Sequence, residues 1–93
     1  MVERTIKETT QTQLSNHLVG VGNIWERKLP DEHGVIAPRL SATLSIQDLD
    51  SKAERHERVF AGVNILLGAD RYEVVRVEEG QTEPGSITLR QVT

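Results

Sequence analysis

Residues 39–47 spell RLSATLSIQ, and this stretch decides the fold class. Apolar side chains stand at every second position from Leu40 to Ile46, and polar side chains lie between them. A period of two is typical of a β-strand with one buried and one hydrated face. Residues 57–67 repeat the pattern after a charged interval. The sequence therefore predicts an all-β fold: a small, mostly antiparallel sandwich or curled barrel of five to six strands with hairpin connections.

The length and composition predict one domain over residues 1–93 with a modest aliphatic core. The 93 residues include one Trp, one Tyr and one Phe, so Val, Ile and Leu must supply most of the buried surface. One row of alternating apolar positions on each strand gives the expected core: Leu44, Ile46, Val63, Ile65, Val75, Val77, Ile87 and Leu89.

The charge balance argues against two classes of partner. Eleven Lys and Arg against fourteen Asp and Glu give a net charge of −3, with the signs interspersed. Nucleic-acid and anionic-membrane binding both depend on clustered cations, so neither is predicted. Cysteine is absent, and no apolar run approaches the ~18 residues of a membrane span. A soluble, cytoplasmic protein is the expectation.

Several segments are ambiguous or irregular. Residues 1–13 suit an edge strand or a flexible arm, and 48–58 suit a charged hairpin tip, which we favour, or a short helix. The loop is predicted at 28–38 because prolines and a glycine cluster there. Gly20 and Gly22 within strand 16–27 indicate a bulge or a bend. The adjacent valines at 74 and 75 indicate another bulge or burial on both faces.

Reactive residues form no recognisable catalytic or metal pattern. His17, His33 and His56 lie far apart in the sequence without metal-ligand spacing, and solvated loop positions are expected for all three. No nucleophile-elbow pattern occurs, and the two glycines at 20 and 22 do not open a helix as a dinucleotide site would require. We therefore predict no catalytic residue, no metal and no cofactor. Arginines near the C-terminus are expected to form cross-strand ion pairs with neighbouring glutamates.

Trp25 is the most informative single residue. It shares an apparent strand face with Val19 and Val21, which favours a core anchor, but an exposed contact for a partner stays open. Two cations and a proline-restricted loop follow it, and loops on rigid scaffolds often carry binding residues. The predicted partner-binding residues are Trp25, Arg27, Lys28, Asp31 and His33.

The shortage of reactive residues favours a non-enzymatic function. We expect a small accessory, inhibitor or immunity-type module that binds another protein or itself as a homodimer. The alternatives are a β-barrel or sandwich that binds a small ligand and, less favoured, a small hydrolase-like enzyme using His and Glu. The stretch from Val59 through Val92 is similar to many small bacterial β modules, and this resemblance implies hairpins without a function.

Overall fold

The computed structural model describes residues 3–81 and 83–92. These residues form eight β-strands, in two four-stranded antiparallel sheets. The strands are β1 (Glu3–Lys7), β2 (Gln11–Leu14), β3 (His17–Pro30), β4 (Ile36–Asp48), β5 (Glu54–Phe60), β6 (Asn64–Leu67), β7 (Asp70–Glu78) and β8 (Ser86–Gln91). No helix in this part of the chain has the length and apolar character to cross a membrane.

The first sheet has the strand order β1-β8-β7-β6, and the second has the order β2-β3-β4-β5. Hairpins join the sequential neighbours within each sheet, and the chain passes between the sheets after β1 and again after β5. The predicted all-β, antiparallel, hairpin-connected fold is confirmed. The predicted number of five to six strands is wrong, and the sheets do not close into a barrel.

The predicted number of strands was too low because two segments that were each predicted as one strand form two strands in the structure. Residues 57–67 break at a turn in which Gly62 has φ 97, a backbone conformation suited to glycine. The amide of Val63 donates to the carbonyl of Phe60 across this turn (3.1 Å). As a result β5 and β6 lie at the edges of different sheets, and 57–67 is not one continuous strand. Residues 3–14 likewise supply two edge strands.

The predicted loop at 28–38 is also wrong, because only residues 31–35 connect β3 to β4. Pro38 lies within β4, opposite Lys28. Pairing with β5 begins only at Ser41, so Pro38 has a single neighbouring strand, a position that tolerates proline. The favoured hairpin tip between β4 and β5 is confirmed: the side chain of Asp48 accepts the amides of Asp50 (2.8 Å) and Ser51 (3.2 Å).

The core lies between the two sheets. Five predicted members are buried as expected: Leu44, Ile46, Ile65, Ile87 and Leu89. Val63 and Val77 are only partly buried against this cluster. The prediction that Val75 is buried in the core is wrong, because a bulge between Val74 and Arg76 shifts the register of β7 on β8. Val74 is the buried residue instead. The bulge itself was one of the two predicted alternatives.

Candidate binding surface around Trp25

A β-bulge in β3 decides which way Trp25 faces. Gly22 pairs with Thr43 and Trp25 pairs with Ser41, so Asn23 and Ile24 together oppose one residue of β4. The extra residue reverses the alternation of β3 beyond this point. Asn23 adopts φ 53, which asparagine tolerates better than most residues.

The reversal turns Ile24 toward the core and Trp25 onto the outer face of the second sheet. Ile24 packs against the buried cluster, and Trp25 is 44% exposed. The favoured interpretation of Trp25 as a core anchor is therefore wrong. Its predicted place among partner-binding residues is compatible with this exposure and stays a prediction.

Arg58 of β5 holds the exposed indole. Its guanidinium carbon lies 4.9 Å from the centroid of the Trp25 ring, within the range of a cation–π contact. Its Nη1 donates to the carbonyl oxygen of Asn23 (2.9 Å) and to the Oγ of Ser41 (3.1 Å). The Ser41 hydroxyl in turn donates to the carbonyl of Trp25 (3.0 Å). The bulge, the indole and the guanidinium thus form one connected unit.

Arg27 adds a second positive charge to the same face. It follows Trp25 by two positions along a strand, so its side chain leaves the same side of the sheet. Within residues 3–81 and 83–92, neither Arg27 nor Arg58 forms an ion pair with a carboxylate. Burial, reinforced by the charge of Arg27, lowers the pKa of Arg58 from its ordinary value. We call Trp25, Arg27 and Arg58 the Trp25 patch.

The face continues from the patch toward the β3–β4 turn through a second arginine–aromatic contact. The guanidinium carbon of Arg39 lies 5.0 Å from the centroid of the Phe60 ring. Unlike the arginines of the patch, Arg39 has an acidic partner, because its Nη2 lies 3.5 Å from Oδ2 of Asp31. It also donates to the carbonyls of Leu29 (3.0 Å) and Val35 (3.1 Å). This end of the face is therefore neutralised within the chain.

The structure divides the five predicted partner-binding residues into three groups. Trp25 and Arg27 share the outer face. Lys28 follows Arg27 directly and leaves the opposite side of the strand. Asp31 and His33 belong to the turn beyond β3.

Asp31 organises that turn. Its Oδ1 accepts the amides of His33 (2.8 Å) and Val35 (2.9 Å), and these hydrogen bonds, strengthened by the charge of Arg39, lower the pKa of its carboxyl group. The side chain of His33 is exposed, with Nε2 3.4 Å from Oε1 of Glu32. Arg58 was missed by sequence reasoning because it lies in the charged run 54–58, which resembles an ordinary solvated edge.

An open groove of about 620 Å3 adjoins the Trp25 patch on the same outer face. Gly22, Thr43 and Asn23 are part of its lining, and the carbonyl of Asn23 accepts the hydrogen bond from Arg58. A methyl group added at Gly22 would meet no atom within 4 Å, so this position opens into the groove. The remaining lining is mostly polar: Thr9, Thr10, Gln11, Gly20, Val21, Ser45 and His56.

The histidines and hydroxyls show no arrangement that activates a nucleophile in the described residues. The expectation of solvated loop positions is wrong for His17, which is buried and has its Nδ1 2.7 Å from the carbonyl oxygen of Ser15. Because a carbonyl only accepts, Nδ1 must carry the proton. The Ser15 hydroxyl donates to Asp70 (2.6 Å) instead of an imidazole, and it accepts from Tyr72 (2.8 Å).

Two further observations bear on the remaining predictions. No group of three or more His, Asp or Glu side chains is placed to hold a metal ion in the part of the chain that the structure describes. Of the expected cross-strand ion pairs near the C-terminus, Arg90 of β8 contacts Glu73 of β7. Arg76 instead contacts Glu78 of its own strand (3.1 Å between Nε and Oε1), so a cross-strand pair is wrong for Arg76.

No protein-family model, no curated protein and no solved structure matches this chain. The surface around Trp25 therefore has to be interpreted from its own geometry.

Proposed function

We propose that this chain is a non-enzymatic module that binds another protein through the outer face of its second sheet, centred on the Trp25 patch. The observation that carries the proposal is a half-exposed tryptophan fixed in place by an arginine that has no acidic partner among the described residues. Trp and Arg are enriched among residues that dominate binding energy at protein interfaces.

The rigidity of the patch supports this proposal. A side chain that is already ordered loses less conformational entropy when a partner binds. Trp25 is ordered by the ring contact with Arg58, and Arg58 is ordered by two hydrogen bonds to the body of the sheet. The indole and the guanidinium are thus positioned before any partner arrives.

The test compares two exposed apolar residues on opposite faces of the protein. The full chain is immobilised and exposed to a lysate of its source organism, and retained proteins are identified by mass spectrometry. Trp25→Ala should lose a specific partner, while Leu66→Ala, which removes a 56% exposed side chain from the first sheet, should retain it. Retention by both folded variants, or loss by both, would contradict a site at Trp25.

Binding of a small polar ligand in the groove is the second candidate function, favoured by the open space above Gly22. The groove volume of about 620 Å3 falls within the ~300–1,000 Å3 typical of ligand sites. The φ of Gly22 is not positive, so a larger side chain fits there without backbone strain. Gly22→Leu should therefore abolish binding of a groove ligand detected by metabolite capture, with folding unchanged. An unchanged metabolite profile would exclude the groove.

A second copy of the chain is a further candidate partner, because each sheet ends in a short N-terminal edge strand. β1 and β2 each have one neighbouring strand, which leaves their other edges open for pairing across a two-fold axis. Sedimentation equilibrium should then show dimers at high micromolar concentration. A monomer under these conditions would remove this candidate.

A further inference from the structure

We propose that the free edge of the Arg58 guanidinium binds the carboxylate of an acidic side chain, carried on a segment of the partner protein that also places an apolar residue on Trp25. This inference deepens the proposed function and rests on it: it assigns an acidic, partly apolar peptide segment as the chemistry that the Trp25 patch recognises.

The hydrogen bonds of Arg58 determine which edge is free. Nη1 carries two hydrogens, and its two bonds, to Asn23 and Ser41, use both. The Nε and Nη2 hydrogens form no hydrogen bond within residues 3–81 and 83–92. Nε–H and one Nη2–H are parallel and form the edge of the guanidinium that holds a carboxylate in two hydrogen bonds. The Nη1 group of Arg58 is therefore bonded to the sheet, and the edge formed by Nε and Nη2 is available to bind a carboxylate.

The local charge favours an anion at this edge. Burial and the positive charge of Arg27 both oppose the charged form of Arg58, and no carboxylate of the described residues offsets them. A bound carboxylate would relieve that repulsion. The chain as a whole carries a net charge of −3, so this patch has the opposite sign to the average of the protein. Complementary charge of this kind directs the choice and orientation of a partner.

The geometry favours a planar carboxylate over a phosphate group. One guanidinium edge offers two parallel donors, which match the two oxygens of a single carboxylate. Phosphate-binding sites usually surround the remaining oxygens with backbone amides and several cations, whereas this patch adds one further cation, Arg27. The adjoining indole is apolar and half-exposed, which suits an aliphatic side chain next to the acidic one. These features together point to an acidic residue flanked by apolar residues in an extended segment.

The test uses the uniformly 15N-labelled full chain and two matched tripeptides. Acetyl-Leu-Glu-Leu-amide carries one carboxylate, and acetyl-Leu-Gln-Leu-amide has the same shape without the charge. NMR follows the Nε–H of Arg58, the indole N–H of Trp25 and, as an internal control, the Nε–H of Arg71. Arg71 is exposed and has no ion pair among the described residues.

The Glu peptide should shift the Arg58 and Trp25 signals saturably. It should bind at least about fivefold more tightly than the Gln peptide, because charge-assisted bidentate hydrogen bonds are the stronger class. Arg71 should show no saturable shift. The inference would be overturned by equal affinity for both peptides or by equal shifts at Arg58 and Arg71. It would also be overturned if Arg58 showed no shift up to about 50 mM peptide, a ceiling on the order of the weak affinities that single contacts give.

Two variants separate a binding edge from a structural contact. Arg58→Lys keeps the charge but lacks the planar edge, so it should bind the Glu peptide about fivefold or more weakly. If this variant does not fold, Arg27→Gln serves instead, because the side chain of Arg27 makes no hydrogen bond or ion pair within the described residues. Arg27→Gln should weaken Glu-peptide binding about twofold or more by removing a nearby charge. Unchanged Glu-peptide affinity in the folded variant would overturn the inference.

A third titration, with inorganic phosphate, checks the class of anion. Phosphate should bind more weakly than the Glu peptide, and tighter phosphate binding would overturn the carboxylate assignment. These results are independent of partner capture. If the Glu peptide binds at Arg58 but no protein is captured from the lysate, only the proposed function is contradicted. If Trp25→Ala loses the captured partner and Arg58→Lys retains it, only the carboxylate inference is contradicted.

Discussion

The β3–β4 hairpin consists of two halves that differ in what covers them. In the proximal half, residues 17–22 and 43–48, one face is buried between the sheets, and the side chains of Val19 and Leu44 have no exposed surface. In the distal half, residues 25–30 and 36–41, apolar side chains are exposed: Trp25 by 44% and Ile36 by 67%. The bulge at Asn23 and Ile24 separates the two halves.

This difference shows that one continuous pair of strands serves two purposes. The proximal half supplies buried apolar surface, the main favourable contribution to folding. The distal half contributes less buried surface, yet its outer face is fixed by Arg58 and Arg39 through ring contacts and backbone hydrogen bonds. An ordered surface with little role in the core is what a binding site requires.

The largest expected effect is on stability, and it should differ sharply between the halves. Leu44→Ala removes a fully buried side chain and should cost roughly 2–5 kcal/mol of unfolding free energy. Ile36→Ala removes a mostly exposed side chain and should cost less than about 0.5 kcal/mol. Urea denaturation of both variants measures the contrast. Equal losses would show that the distal half belongs to the core after all.

A smaller loss of stability is expected for Arg58→Met. This change keeps a long apolar side chain but removes the cation from the Trp25 ring and the two hydrogen bonds to Asn23 and Ser41. The expected cost is about 1.5–2 kcal/mol, near the lower limit of the sum of one exposed cation–π contact, ~0.5–1 kcal/mol, and two hydrogen bonds, a net ~0.5–1.5 kcal/mol each. Arg71→Met on the first sheet is the matched control and should stay within about 0.5 kcal/mol. Equal effects would remove the structural role assigned to Arg58.

Acid should destabilise the two ends of the hairpin in a predictable direction. Backbone amides lower the pKa of Asp48 at the proximal end and of Asp31 in the distal turn. A carboxyl group with a lowered folded-state pKa stabilises the protein above its unfolded pKa, and this stability is lost as the pH falls through the folded pKa.

The melting temperature should therefore decrease as the pH drops below about 4, the ordinary range for an aspartate. Asp48→Asn should flatten this dependence. Asp31→Asn should flatten it less, because the distal turn can open without exposing the core. If Asp31→Asn flattened the pH dependence of the melting temperature more than Asp48→Asn, the expected order of the two ends of the hairpin would be contradicted.

The smallest expected effect is spectroscopic and leaves the fold intact. Trp25 is the only tryptophan, so its fluorescence reports on the distal half alone. Iodide should quench this fluorescence in the native protein, because Trp25 is 44% exposed. N-acetyltryptophanamide serves as the fully exposed control. Quenching below about a tenth of that control would place the indole in the core.

The sequence predicted the regular part of the fold because alternation and burial agree there. From Leu40 to Ile46, every second side chain faces the other sheet, and the residues predicted as core are buried. The division of 57–67 into two strands was missed because apolar residues occupy alternate positions on both sides of the turn at Gly62. A period of two does not reveal that a strand has moved to another sheet.

The candidate site was only partly predictable, because it depends on the bulge. The glycines at 20 and 22 indicated an irregularity, but the number of extra residues decides whether Trp25 faces inward or outward. Arg58 comes from another hairpin, and its contact with Trp25 follows from the register of β4 on β5, which pairs Thr43 with Arg58. Sequence spacing within one strand carries no information on that register.

Charge reversal at two adjacent residues tests the central claim, that the outer face around Trp25 is the binding surface. Arg27→Glu and Lys28→Glu make the same change in net charge, but the first alters the Trp25 patch and the second alters the opposite side of the strand. Partner capture by the immobilised full chain should be lost in Arg27→Glu and retained in Lys28→Glu, with both variants folded. Retention in Arg27→Glu, or loss in Lys28→Glu alone, would contradict the assignment of this face.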